Sequence, residues 1–158
     1  MKILSSLIVA SLLLSSCQKN QEKATENPVL QNVDSPAGSD ASLPYLIKGG
    51  DDLLYMSWVE KRDSGSIDLM YSVLIKDTWQ EPEVIASGND WFVNWADYPM
   101  MAVDNQGNMI AHFLAKSSSG TYSYDVNVVY KPMGEQWSEP IIPHKDGTPT
   151  EHGFDYAT

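Results

Sequence analysis

One cysteine and one arginine stand among the 158 residues of this sequence. A lone cysteine excludes an intrachain disulfide, so packing and backbone pairing must hold the fold. Ten basic side chains against 21 acidic ones leave a formal net charge of −11. Such a balance argues against a phosphate-tracking surface, which needs clustered Lys and Arg, and nucleic acid is not an expected partner. After residue 14 no segment sustains apolar spacing at the helical period with caps at its ends. The one long apolar run, Ile3 to Leu14, is too short to span a bilayer as a helix. The two histidines near the end, His144 and His152, match no standard zinc spacing. No metal and no cofactor are therefore expected.

The N-terminus is built differently from the rest. Lys2, the apolar run and the small residues after it form the three parts of a secretory signal over 1–16. Leu14-Ser15-Ser16-Cys17 resembles the lipobox of bacterial lipoproteins, in which the cysteine is lipidated and becomes the new N-terminus. The resemblance implies a lipid on Cys17 and a chain held at the cell envelope, at the outer membrane or the cell surface. Each buried methylene of an acyl chain contributes about 0.8 kcal/mol, so several chains on one residue make a stable anchor. Residues 17–43 are rich in Gln, Asn, Glu, Ser, Asp and Pro and read as a flexible tether. The expected folded region is 44–158.

That region repeats itself at roughly fifty-seven residues. Trp79-Gln80-Glu81-Pro82 returns as Trp137-Ser138-Glu139-Pro140, and Pro44, Trp58 and Lys61 return as Pro99, Phe113 and Lys116. Tyr71 is matched with Tyr130, and Asp97-Tyr98 with Asp155-Tyr156. Each unit has strand-like runs: Leu53–Val59, Ile67–Leu74 and Trp79–Ile85 in the first; Tyr98–Val103, Met109–Leu114, Tyr124–Tyr130 and Trp137–Ile142 in the second. The cluster Asp104-Asn105-Gln106-Gly107-Asn108 is a hairpin turn by composition. Four short antiparallel strands per repeat describe the blade of a β-propeller. A β-sandwich also uses short strands but gives no reason for its parts to repeat. The expectation is all-β: two blades and the start of a third, the remaining blades lying outside this chain.

Trp91 to Pro99, Ala111 to Lys116, Tyr124 to Val126, Pro143 to Thr148 and Glu151 to Phe154 together resemble the sialidase superfamily of bacterial secreted proteins, the BNR-repeat or exo-α-sialidase-like group. The resemblance runs from about Pro44 onward. It implies a six-bladed propeller in the complete protein and an exo-glycosidase or glycan-processing role. The sequence also departs from the group. The Asp-box pattern keeps Ser72 and Trp79 but has Leu74 and Lys76 where Asp and Gly belong. In the second copy Gly134 and Trp137 fit, whereas Tyr130 and Pro132 do not. Sialidases hold a carboxylate with three arginines, whose forked guanidinium suits that pairing, and here there is only Arg62. Their Tyr nucleophile and its Glu belong to later blades, so this chain alone is expected to be inactive.

Loops entering the innermost strand and joining the second and third strands converge on one face of a propeller. They are 87–97, 143–155, 61–66 and 116–123. Trp91 and Trp95 are candidate sugar-stacking platforms, while Asn94, His112, Lys116, His144 and Asp155 are candidate polar contacts. Asp97, Glu151 and His152 are the candidate catalytic set, since an acid there needs its pKa raised by burial or a like charge. Trp79 and Trp137 recur once per unit and are expected to pack. Asp97 and Asp155 recur too, and a structural hydrogen bond to loop backbone competes with any catalytic role. Two functions follow: an exo-acting hydrolase completed by missing blades, or a surface module that binds a glycan or peptide without cleaving it.

Overall fold

The computed structural model describes residues 30–121 and 123–143. The signal segment, Cys17, most of the tether, and His144, Glu151, His152 and Asp155 lie outside the described residues. The chain divides between Gln31 and Asn32, and the fold belongs to the unit that starts at Asn32. It is all-β, with antiparallel strands in two sheets and no helix among the described residues.

The first sheet runs β1 (Ala41–Lys48), β2 (Leu54–Lys61), β3 (Ile67–Ile75) and β5 (Glu83–Gly88), each antiparallel to its neighbour. The short β4 (Thr78–Trp79) prolongs the β3 hairpin through a turn with Lys76 and Asp77 both at positive φ. Residue pairs of that kind build the two-residue turns whose twist suits a hairpin. β2 and β3 are central and each buries five consecutive residues, whereas β1 alternates half-buried and exposed along its whole length. This is the two-residue period of a strand covered on one face. β1 opens at Ala41, ahead of the expected Pro44 boundary, and carries a bulge between Ser42 and Tyr45 with Leu43 at φ 54°.

The second sheet runs β6 (Met100–Val103), β7 (Met109–Lys116) and β8 (Tyr124–Lys131). A single bridge from Ile141 to Val128 stands where the first sheet has β5. The fourth run of the first unit is thus split into β4 and β5 and reaches Gly88, past the expected Ile85, while that of the second is reduced to one bridge. Pro82 follows β4 and Pro140 precedes Ile141, and a residue without an N–H cannot join a ladder as donor. The Asp104–Asn108 turn forms as its composition predicts. Asp104 Oδ1 accepts from the amides of Gln106 and Asn108 at 2.8 and 2.9 Å, and Gly107 takes φ 80°.

Strand register reproduces the repeat. Pro44, Trp58, Lys61 and Trp79 fall on Pro99, Phe113, Lys116 and Trp137 when the sheets are matched pair by pair. One match changes. Lys61 pairs with Ile67 but Lys116 pairs with Tyr124, so the second connecting loop is longer and Tyr71 corresponds to Val128 rather than Tyr130.

Matched residues occupy the same side of their own sheet, and the sheets stack front to back. The front of the first, with Tyr55, Val59, Leu69 and Tyr71, packs on the back of the second, with Met101, Ala111, Phe113 and Val129. Trp58 and Met70 lie on the back of the first sheet with Trp79, and the matching Trp137 lies on the back of the second. Both repeated tryptophans are packing residues. A polar link crosses the same interface: Lys131 Nζ donates to Tyr71 Oη at 2.8 Å and to Glu83 Oε2 at 2.9 Å. Gly50 N donates to the carbonyl of Val103 at 3.0 Å and joins the turns of the two units.

Candidate functional site

The clearest difference between the two sheets lies at the entry to the innermost strand. In the first, β1 passes the end of β2 with only Leu43 between Ser42 and Pro44. In the second, Trp91 bridges Ala115, and the amides of Phe92 and Lys116 are bonded to Leu114 O and Asp90 O. Trp91 and Phe92 therefore continue the ladder of β6 beside β7, and residues 93–98 bulge out before Pro99. This loop is an insertion relative to the first unit.

Its shape is set by Asn94. The Asn94 Oδ1 accepts from the amides of Ala96 and Asp97 at 2.7 and 2.9 Å, and Nδ2 donates to Asp97 Oδ2 at 3.0 Å. A side-chain amide that replaces the backbone partners of a tight turn holds the loop without neighbours. Val93 packs against the core on one side. Trp95, between the two polar residues, is left 84% exposed. An indole is rarely left so open, because it has a large apolar area to bury.

The neighbouring candidates have other duties. Trp91 faces inward and stacks on Phe113 with centroids 4.2 Å apart at 19°. Phe92 faces the front of the sheet and stacks on Tyr124 at 4.6 Å. Lys116 lies over the Phe92 ring at 5.3 Å and donates to the carbonyls of Gly120 and Thr121. It closes the β7–β8 loop instead of waiting for a ligand. Arg62 pairs with Asp68 at 2.5 Å and Glu60 at 3.1 Å, not with the adjacent Asp63.

His112 stands apart. It pairs in register with Met100 and Val128 on the front of the second sheet, half-buried, and burial pushes its imidazole pKa below the ordinary value. Of the expected site residues described, Asn94, Trp95 and Asp97 come together in one loop, with Trp91 beneath it and Lys116 at the adjoining strand end. Among the described residues no group of three His, Cys, Asp or Glu is placed to hold a metal ion. Sequence reasoning missed Phe92, although its place next to Trp91 in an alternating strand would have revealed that the two rings point to opposite faces. No family model, curated protein or solved structure matches this chain.

Proposed function

We propose that the chain forms two blades of a β-propeller in an envelope-anchored lipoprotein and that its loop at 93–98 binds a carbohydrate. The propeller reading draws on the front-to-back stacking, since a heterologous contact repeated with rotation closes into a ring. The observation that carries the binding reading is Trp95, held open on an inserted loop that Asn94 and Asp97 brace. An exposed indole offers a flat apolar face to the axial C–H bonds of a sugar, and the amide and carboxylate beside it serve ring hydroxyls. A glycan is preferred to a peptide because the platform is one flat ring flanked by hydroxyl-bonding groups. Binding is preferred to hydrolysis because the Asp97 carboxylate accepts from Asn94 and works as a brace. The lipid on Cys17 places this loop at the outer membrane or the cell surface.

The test is affinity of the mature chain for a panel of sialylated and neutral oligosaccharides. Trp95→Ala should lower affinity about tenfold, the effect of roughly 1.4 kcal/mol, with no change in thermal midpoint. Trp95→Tyr should retain most of it. No binding by the wild type, or equal binding by Trp95→Ala, rejects this reading. Sugar release that Glu151→Gln abolishes would establish hydrolysis in its place.

A further inference from the structure

The inserted loop is as distinctive in charge as in shape. No Lys or Arg stands between Lys76 and Lys116, a stretch that holds six carboxylates, Asp77, Glu81, Glu83, Asp90, Asp97 and Asp104. Two of them lie on either side of Trp95 in the chain. Asp90 is exposed, and its carbonyl is fixed to the end of β7 by the amide of Lys116 at 2.7 Å. Asp97 is folded back on Asn94 by the turn whose middle carries the open indole. The brace uses only one oxygen of that carboxylate. Oδ2 accepts from Asn94, and Oδ1 accepts no hydrogen bond among the described residues. Cations that could oppose these charges are engaged elsewhere. Lys116 donates to the carbonyls of Gly120 and Thr121, and Arg62 pairs with Asp68 and Glu60.

We infer that the sugar taken by this loop is cationic: a hexosamine with an unsubstituted amino group, its ring on Trp95 and its ammonium at Asp97 Oδ1. The inference deepens the glycan reading given under Proposed function and rests on it. An ammonium gains in two ways at such a place. A hydrogen bond to an ionised carboxylate is roughly twice as strong as one between neutral groups. A cation beside an indole is also drawn by the negative face of the ring. N-acetylation removes the charge and both gains. A carboxylate-bearing sugar such as sialic acid meets the reverse: the loop has no cation to pair with it and two charges of its own sign. The net charge of −11 over the whole chain favours the same choice by drawing cations toward the surface. Exposed ion pairs contribute little singly, so the expected preference is about fivefold. A lysine side chain offers the same ammonium, but it has no ring face to lay on the indole.

The experiment measures the affinity of the mature chain for three forms of one hexosamine oligomer: with unsubstituted amines, fully N-acetylated, and N-acetylated with a terminal sialic acid. At low salt the amine form should bind about fivefold more tightly than the acetylated form, and the sialylated form should bind most weakly. In 1 M salt, where charges are screened beyond about 3 Å, the amine preference should shrink toward one. Asp97→Asn keeps an oxygen for the bond from Asn94 but removes the charge, and should bring the ratio of amine to acetylated affinity to about one. The salt dependence of the wild type decides the matter without that variant. Equal affinity for the amine and acetylated forms overturns the inference and leaves the glycan reading standing. A preference that a folded Asp97→Asn retains overturns it too, as does oligolysine binding as tightly as the amine form. Absence of binding by all three oligomers rejects both readings.

Discussion

At Gly50 the turn between β1 and β2 lies against the turn between β6 and β7. A Cβ there would sit 2.5 Å from the amide nitrogen of Asn105 and 2.7 Å from the carbonyl carbon of Asp104. Both are backbone atoms, so no side-chain rotation relieves the contact. Gly50→Ala is expected to cost about 1–3 kcal/mol, the usual range for overpacking. Gly38→Ala, whose nearest neighbour would be 3.8 Å away, should be almost neutral. Urea unfolding of the two variants checks this. The contrast also shows what a residue reveals alone. The Asp104–Asn108 turn was legible because its donors and acceptors are neighbours in sequence. The demand at Gly50 comes from the other unit and leaves no local signal. His112 shows the same limit: its strand was legible, but the face it takes depends on which side of the sheet is covered.

Among the elements, the segment 90–98 separates packing from presentation within a few residues. Trp91 continues the β6 ladder and stacks on Phe113, and Trp95 stands on the bulge. Trp91→Ala should therefore lower stability by about 3 kcal/mol, the lower end for truncating a core aromatic since Trp91 is only half-buried. Trp95→Ala should change it by less than about 0.5 kcal/mol. Calorimetry on both variants distinguishes the two roles, and equal losses would place Trp95 in the core as well. The repeat made Trp79 and Trp137 recognisable as packing residues from sequence. It could not do so for Trp91, because the bulge that is only Leu43 in β1 grows to residues 93–98 in the second unit. That insertion breaks the alignment between Trp91 and Ala41.

For the molecule as a whole, the interface between the sheets joins an apolar core to one charged link. The hydrogen bond from Lys131 holds the Glu83 carboxyl below its ordinary value of 4.5. A depressed carboxylate pKa means that the folded state binds the proton less readily than the unfolded one. The contribution is complete above the ordinary value and is lost as pH falls through the depressed one. Glu83 is 58% exposed, so the contribution is small, under about 1 kcal/mol. Acidification from pH 6 to 3 should reduce the stability of the wild type more than that of Glu83→Gln. Parallel urea curves across that range are the check, and identical pH slopes would show that the link contributes nothing. Tyr71 was visible only as a strand residue, and Lys131 lay one residue past the expected run, since nothing in either unit says which face meets the other.

Composition and periodicity alone determined that this protein is all-β, that two units repeat, and that Trp79 and Trp137 pack. Those properties depend on residues near one another in the chain or on recurrence along it. Which sheet face is buried, where the inserted loop leaves the ladder, and what occupies Arg62, Lys116 and His112 were decided only by the tertiary structure. The buried face depends on the stacking of the two sheets, and the others depend on which strands and loop atoms meet within one sheet. The lone arginine shows the difference. Its scarcity argued against a three-arginine carboxylate site, and the fold turned it to Asp68 and Glu60, where it serves the first sheet.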